Sequence, residues 1–288
     1  YEIDVSLVCS EMCIRDSHRV VWALKYIPGK CLAKLHSKPL NLIEEIGEAL
    51  GATTNALRGY KNKDLERTFK WNLLQAGWID DHLICIEDKE RYKIVKNISE
   101  NFSRCLPELK SFNRQVIQND PNDYNILVSG DYDKKKSLSG IIDFGDICIS
   151  PRVCEIAIAG AYIVLETPHP EKSLVTLVSG FNRTCPLTIP EIDLIWDLLL
   201  MRLAVSVVNS TMLAIEFPND PYVTVSQEPA WDFLENNKIN QELLKCRLRK
   251  ACGKEIVANE ERIRSWIYKN RGNFSQVMES PLAVSYTH

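Results

Sequence analysis

Two stretches decide the reading of this chain: IQNDPNDYNILV at residues 117–128 and IIDFGD at residues 141–146. Each joins a short apolar, β-branched run to a polar cluster. Gln115–Ile117 predicts a strand running into Asn119–Asn125, and Ile126–Ser129 predicts a second strand leaving it. Ser139–Ile142 returns as a third strand and stops at Asp143-Phe144-Gly145-Asp146. The charged stretch Asp131–Ser137 is then the tip of a hairpin, at the end away from the polar clusters. That arrangement gathers Asp120, Asn125 and Asp143 at the mouths of neighbouring strands. Pro121 keeps the loop from continuing as a regular helix, and Asn122-Asp123 supplies turn chemistry.

A carboxylate, an amide oxygen and a second carboxylate so placed suit phosphoryl transfer. One carboxylate orients an acceptor hydroxyl and takes its proton, while the amide oxygen and the other carboxylate hold magnesium across the nucleotide phosphates. Magnesium prefers hard oxygen ligands and keeps several waters, so one Asn and one Asp suffice from the protein. The plainer alternative is a β-hairpin with Asx-turn residues at its ends. The joint occurrence of the D-x4-N spacing with IDFGD favours the chemical reading.

That motif pair resembles the catalytic and metal loops of the aminoglycoside phosphotransferase-like kinases, relatives of choline kinase and of protein kinases. Tyr26-Ile-Pro-Gly-Lys30, Arg67-Thr-Phe-Lys-Trp-Asn72, Pro151-Arg-Val-Cys-Glu-Ile-Ala157 and Asp220-Pro-Tyr-Val-Thr-Val-Ser226 resemble hydroxylysine kinase and the kinase modules fused to class-III aminotransferases. The resemblance implies Asp120 as catalytic base and Asn125 and Asp143 as magnesium ligands. It also implies Tyr26, Ile27 and Pro28 as the hinge that meets the adenine of ATP. The implied substrate is a small amino alcohol such as hydroxylysine or an ethanolamine-like compound. Arg271–Leu282 resembles the connector ahead of a fused PLP-dependent aminotransferase, a partner to expect in a longer chain.

The family usually has His where this chain has Gln118. That position braces the loop, and Gln still donates and accepts hydrogen bonds. Asp146 either supports the metal loop or caps the following turn. Trp71 and Tyr222 either line a pocket for the substrate's ammonium through cation–π contact or are plain core and rim aromatics, the latter being favoured. Glu155 opens a helix and reads as a structural complement to the helix dipole. His82 reads as a satisfied partner on an amphipathic stretch, and Lys134–Lys136 as a solvated hairpin tip. Kinases of this fold also need a glycine-rich loop and a strand lysine. Neither can be found ahead of Gly29, and Gly29-Lys30 lacks the Walker A spacing.

Both ends read as translated sequencing adapter. Leu7–Ser17, LVCSEMCIRDS, reverse-translates to a tagmentation transposon end apart from one base at Cys9, and Ala283–His288 to its reverse complement. The expectation is therefore an insert spanning residues 18–282 and open at both ends. Without Tyr1–Ser17 the chain carries 34 basic and 34 acidic residues, with no basic stripe of the kind nucleic acids select. Its eight remaining cysteines form no CxxC pair, which points to neither zinc nor a disulfide scaffold but to a reducing cytoplasm. No uninterrupted apolar run reaches the roughly 18 residues of a membrane span.

Helices are predicted over Leu40–Leu57, Leu65–Ala76, Glu90–Leu106, Val153–Leu165, Leu174–Phe181, Ile189–Ile215 with a break, Trp231–Gly253 and Ile256–Tyr268, and a strand over Val20–Ile27. The fold class expected is α+β. It is a protein kinase-like fold with a mostly helical C-terminal lobe, a small catalytic β-hairpin and most of the N-terminal lobe missing. Residues 18–28 are the remnant of the N-lobe strand and hinge, 29–253 the C-lobe, and 254–282 a terminal helix and connector, between adapter at 1–17 and 283–288. Such a fragment is expected not to turn over ATP. The competing reading is a catalytically silent kinase-fold module that binds a metabolite for a fused aminotransferase.

Overall fold

The computed structural model describes residues 6–7, 23–24, 26–130, 135–218, 227–257 and 259–274. Its strands are short: β1 (Ser6–Leu7), β2 (Ala23–Leu24), β3 (Lys30–Cys31), β4 (Arg114–Ile117), β5 (Ile126–Ser129), β6 (Ser137–Ile141) and β7 (Cys148–Pro151). Eight helices surround them: α1 (Leu40–Leu57), α2 (Lys89–Ser111), α3 (Val153–Ile163), α4 (Pro170–Thr184), α5 (Ile189–Glu216), α6 (Gln227–Asn236), α7 (Gln241–Ala251) and α8 (Glu260–Asn270). The chain is thus an α+β structure dominated by helix, as the motif reading implied.

The helix at the centre is α5. A capping box between Thr188 and Glu191 starts it, and no Gly or Pro interrupts its interior, so it runs unbroken for 28 residues. By length and composition it is apolar enough to cross a membrane, which the search for an uninterrupted apolar run missed. Here it is a core helix, with residues from Glu191 to Ser210 buried against α2, α3, α6 and α7. The helix α3 beside it is buried on every side.

Two small antiparallel sheets carry the loops. In the first, β5 pairs with β6 through Ile126↔Ile141 and Leu127↔Gly140, and with β3 through Lys30↔Val128. In the second, β4 pairs with β7 through Ile117↔Cys148. The strand β7 went unread in the sequence because it is four residues long and ends on Pro151. It supplies β4 with a partner other than the hairpin.

Three expected elements need correction. Leu65–Ala76 is no helix: a loop leads into a 3₁₀ segment over Leu73–Cys85. Side chains capture the backbone there, with Asn72 Oδ1 accepting from the Leu74 N–H at 3.1 Å and Gln75 Oε1 from the Phe69 N–H at 2.8 Å. Trp231–Gly253 divides into α6 and α7 where Asn240 caps the Leu243 N–H. Of the strand predicted at Val20–Ile27, only Ala23–Leu24 is extended and paired among the described residues, its partner being Ser6–Leu7.

Candidate active site

The loop between β4 and β5 is held by its own side chains. Gln118 and Asn119 are fully buried, and Asn119 sits in the left-handed region at φ 68°. Gln118 Nε2 donates to the Ile142 and Asp143 carbonyls at 3.2 and 2.5 Å, and its Oε1 accepts from the Asp120 N–H at 3.0 Å. One amide therefore ties the Asp120 loop to the Asp143 loop, the bracing expected of this position. Asn122 turns the chain by accepting from the Tyr124 and Asn125 N–H groups at 2.8 and 3.1 Å.

The Asp120 carboxylate accepts three side-chain hydrogen bonds. Its Oδ2 accepts from Asn122 Nδ2 at 2.8 Å and from Asn125 Nδ2 at 2.9 Å. Its Oδ1 accepts from Arg202 Nη2 at 2.8 Å. Burial pushes the carboxyl above the usual carboxylate range, while the Arg202 charge and the Asn122 amide pull it back. Arg202 was not foreseen. It rises from α5, is 2% exposed, also donates to the Tyr162 hydroxyl at 3.3 Å and the Trp71 carbonyl at 3.4 Å, and lies 4.5 Å from the Trp71 ring. A guanidinium inside a long apolar helix is the signal that would have found it, since such a charge is almost never buried unpaired.

Asn125 and Asp143 end adjacent strands, and the Ile142 N–H donates to the Asn125 carbonyl at 2.9 Å. Because the Asn125 amide nitrogen faces Asp120, its carbonyl oxygen is the atom left for a cation. Asp143 is exposed, with φ 59°, and one oxygen accepts from the Gly145 N–H at 2.9 Å while the other stays free of that bond. Among the described residues no three His, Cys, Asp or Glu side chains cluster. A site of one amide oxygen and one carboxylate fits a magnesium ion that takes its remaining ligands from phosphate and water. Asp146 pairs with Arg67 at 3.8 Å, and Arg67 also donates to the Gly145 carbonyl at 2.6 Å, which steadies the Asp143 loop.

Glu155 does more than complement a helix end. It is wholly buried, its Oε2 accepts from the Asn119 N–H at 2.8 Å, and Oε1 has no partner. Burial pushes its carboxyl up to about 7, with the Asn119 N–H opposing. The residues expected to form the hinge run beside the hairpin: Tyr26 is exposed, Pro28 is exposed, and Ile27 packs over Gly140. Trp71 packs against the core and its carbonyl also receives Asn119 Nδ2 at 3.4 Å, so it abuts the Asp120 loop. Tyr222 lies outside the described residues. His82 bonds the Trp78 carbonyl at 3.0 Å through Nδ1 and sits away from this cluster.

The sequence profile described as the phosphotransferase enzyme family matches residues 11–179. The chain belongs to that family. It is 27% identical to hydroxylysine kinase of Danio rerio over 213 residues, 72% of this chain and 60% of that protein. The figures for hydroxylysine kinase of Mus musculus are 27% over 228 residues, 75% and 60%. The chain thus spans about 60% of the length of these relatives. An amicoumacin kinase solved in complex with AMP-PNP, Ca2+ and Ami superposes with a TM-score of 0.53 at 13% identity, covering 76% of this chain and 67% of that one. At that identity the likeness concerns the fold, a phosphotransferase fold of the small-molecule kinase type.

Proposed function

We propose that the protein to which this chain belongs transfers the γ-phosphoryl group of ATP to the hydroxyl of a small amino alcohol such as hydroxylysine. The observation that carries this reading is the Asp120 carboxylate, gripped by Arg202, Asn122 and Asn125 and tied by Gln118 to the Asp143 loop. In the proposed reaction Asp120 accepts a hydrogen bond from the substrate hydroxyl, aims it at the phosphorus and takes its proton as the new P–O bond forms. Asn125 and Asp143 would hold magnesium, which when bound neutralises charge on the phosphates. Tyr26–Pro28 would face the adenine.

The curated relatives support the acceptor class. The eight described cysteines are all free thiols, which supports a cytoplasmic setting. The silent-module alternative draws on Gln118 in the place of a family His. Against it, Gln118 makes the loop-bracing bonds itself.

Asp120→Asn in the full-length protein tests the reading. The amide cannot take the proton and leaves the buried Arg202 charge without its carboxylate, so ADP release with hydroxylysine should fall by about 100-fold or more together with a lower thermal midpoint, circular dichroism at the assay temperature checking that the variant is folded. Unchanged ADP release would remove Asp120 from the reaction. No release from the wild type would leave the silent module.

A further inference from the structure

Arg67 serves two places at once. Its Nη2 donates to the Gly145 carbonyl at 2.6 Å and to the Ile147 carbonyl at 3.5 Å, which holds the Asp143 loop. The same side chain lines an open cleft of about 590 Å³, whose walls include Glu66, Thr68, Leu74, Lys110, Arg114 and Ile149. None of Asp120, Asn125 and Asp143 lines this cleft. It forms where α2 gives way to β4. Lys110 sits in the last turn of the helix and Arg114 opens the strand, so one short turn presents both cations.

The cleft sets three cations against one carboxylate, Glu66. The Arg114–Glu66 pair is long, at 3.7 Å, and joins side chains 50% and 60% exposed, so it ties up neither strongly. Lys110 has no ion-pair partner among the described residues. At the end of α2 it complements the helix dipole, a role that leaves its three N–H donors open. Arg67 spends only Nη2 on the two carbonyls, and its Nε and Nη1 make no hydrogen bond among the described residues. Asp146 meets Arg67 from the Asp143 loop at 3.8 Å, too far for a hydrogen bond. The guanidinium lies over the Phe69 ring, 4.4 Å from its centre, and this contact fixes its plane.

We propose that this cleft binds the phosphate monoester of a small metabolite and that its occupant steadies the Asp143 loop through Arg67. A phosphate ester carries nearly two negative charges at neutral pH and three acceptor oxygens. Three cations with open donors match that count, whereas a carboxylate offers one charge and two oxygens. Leu74 and Ile149 give the organic part an apolar wall, and the volume lies in the range of small-molecule pockets. Arg67 meets the phosphate with its open donors while Nη2 keeps the two carbonyls, so a bound ester holds the guanidinium at both sides. The site stands apart from the kinase reading, since it needs no phosphoryl transfer at Asp120.

Calorimetric titration of the full-length protein without magnesium, at fixed ionic strength, measures Kd for ethyl phosphate, inorganic phosphate and succinate. Ethyl phosphate should bind at least as tightly as inorganic phosphate, and succinate about 10-fold more weakly or worse. Lys110 and Arg114 are exposed, so Lys110→Met and Arg114→Met should fold, and their thermal midpoints check this. Each should weaken ethyl phosphate by about 10- to 100-fold through loss of one charge-assisted contact. Lys89→Met, at the other end of α2, should change nothing. With the ester bound, hydrogen exchange of the Gly145 and Ile147 amides should slow several-fold in the wild type and not in Lys110→Met. No binding at about 10 mM ester, equal affinity for succinate, or Kd values unmoved in both cleft variants would overturn the site. Inorganic phosphate binding tighter than its ester would overturn the monoester, and unchanged exchange with ester bound would overturn the link to the Asp143 loop.

Discussion

Arg202 and Asp120 form an ion pair whose side chains are 2% and 18% exposed, so water screens it little. Removing one partner of such a pair leaves the other charge stranded. Arg202→Met should therefore lower the unfolding free energy by about 3 kcal/mol, measured by urea denaturation. It should also change the pH profile. Burial raises the Asp120 pKa and Arg202 lowers it, so without Arg202 the carboxyl rises further. If Asp120 works as a carboxylate, the acid limb of kcat/KM must shift to higher pH in the variant; a limb that stays in place would make Arg202 a packing residue only. The same contrast explains what was legible at this scale. Asp120, Asn125 and Asp143 lie within one local motif, where spacing and turn chemistry suffice. Arg202 reaches the site from elsewhere in the chain, and only the packing of α5 against the Arg67–Asn72 loop brings it in.

At the scale of elements, helices with a clear apolar period were readable, α1 to both of its ends and α3 to within two residues. The 3₁₀ segment over Leu73–Cys85 and the strand β7 were not. The first is held by side chain-to-backbone bonds that leave no periodic signature, and the second is too short to show one. Also unread was why α1 and α4 can cross so closely. Gly47 and Gly51 on α1 and Gly180 on α4 lie at the contact. A Cβ on Gly180 would run into the Glu44 carbonyl, one on Gly47 into the Leu177 carbonyl, and one on Gly51 would come within 2.6 Å of the Phe181 carbonyl. The clashing atoms are backbone, which cannot rotate away. Although Ala has the better helix propensity, by about 1 kcal/mol, Gly180→Ala should lose about 3 kcal/mol of stability as the two helices are forced apart. A thermal midpoint equal to or above that of the wild type would show that the helices have room to spare.

For the molecule as a whole, a pH lever lies under the Asp120 loop. Glu155 is buried without a charged partner, and its pKa rises from 4.5 to about 7. Between those values the folded protein keeps a proton that the unfolded chain releases. Stability therefore falls as pH rises through the window, and is flat above it. A shift from 4.5 to about 7 corresponds to about 3 kcal/mol. Asp120, Asp123 and Asp197 are also raised, chiefly by burial, and tilt stability the same way, so the wild-type slope alone cannot be assigned to one group. Glu155→Gln isolates it. The amide oxygen still accepts from the Asn119 N–H, and no charge can form. Relative to wild type the variant should be nearly neutral at about pH 5 and more stable by up to about 3 kcal/mol at about pH 8, read from urea midpoints across that range. Parallel curves for the two proteins would mean that Glu155 is ionised in the fold, with a counter-charge or water meeting its second oxygen. The expected divergence would mean that the fold is most stable with Glu155 protonated, the cost of burying its charge outweighing the Asn119 N–H, which favours the carboxylate.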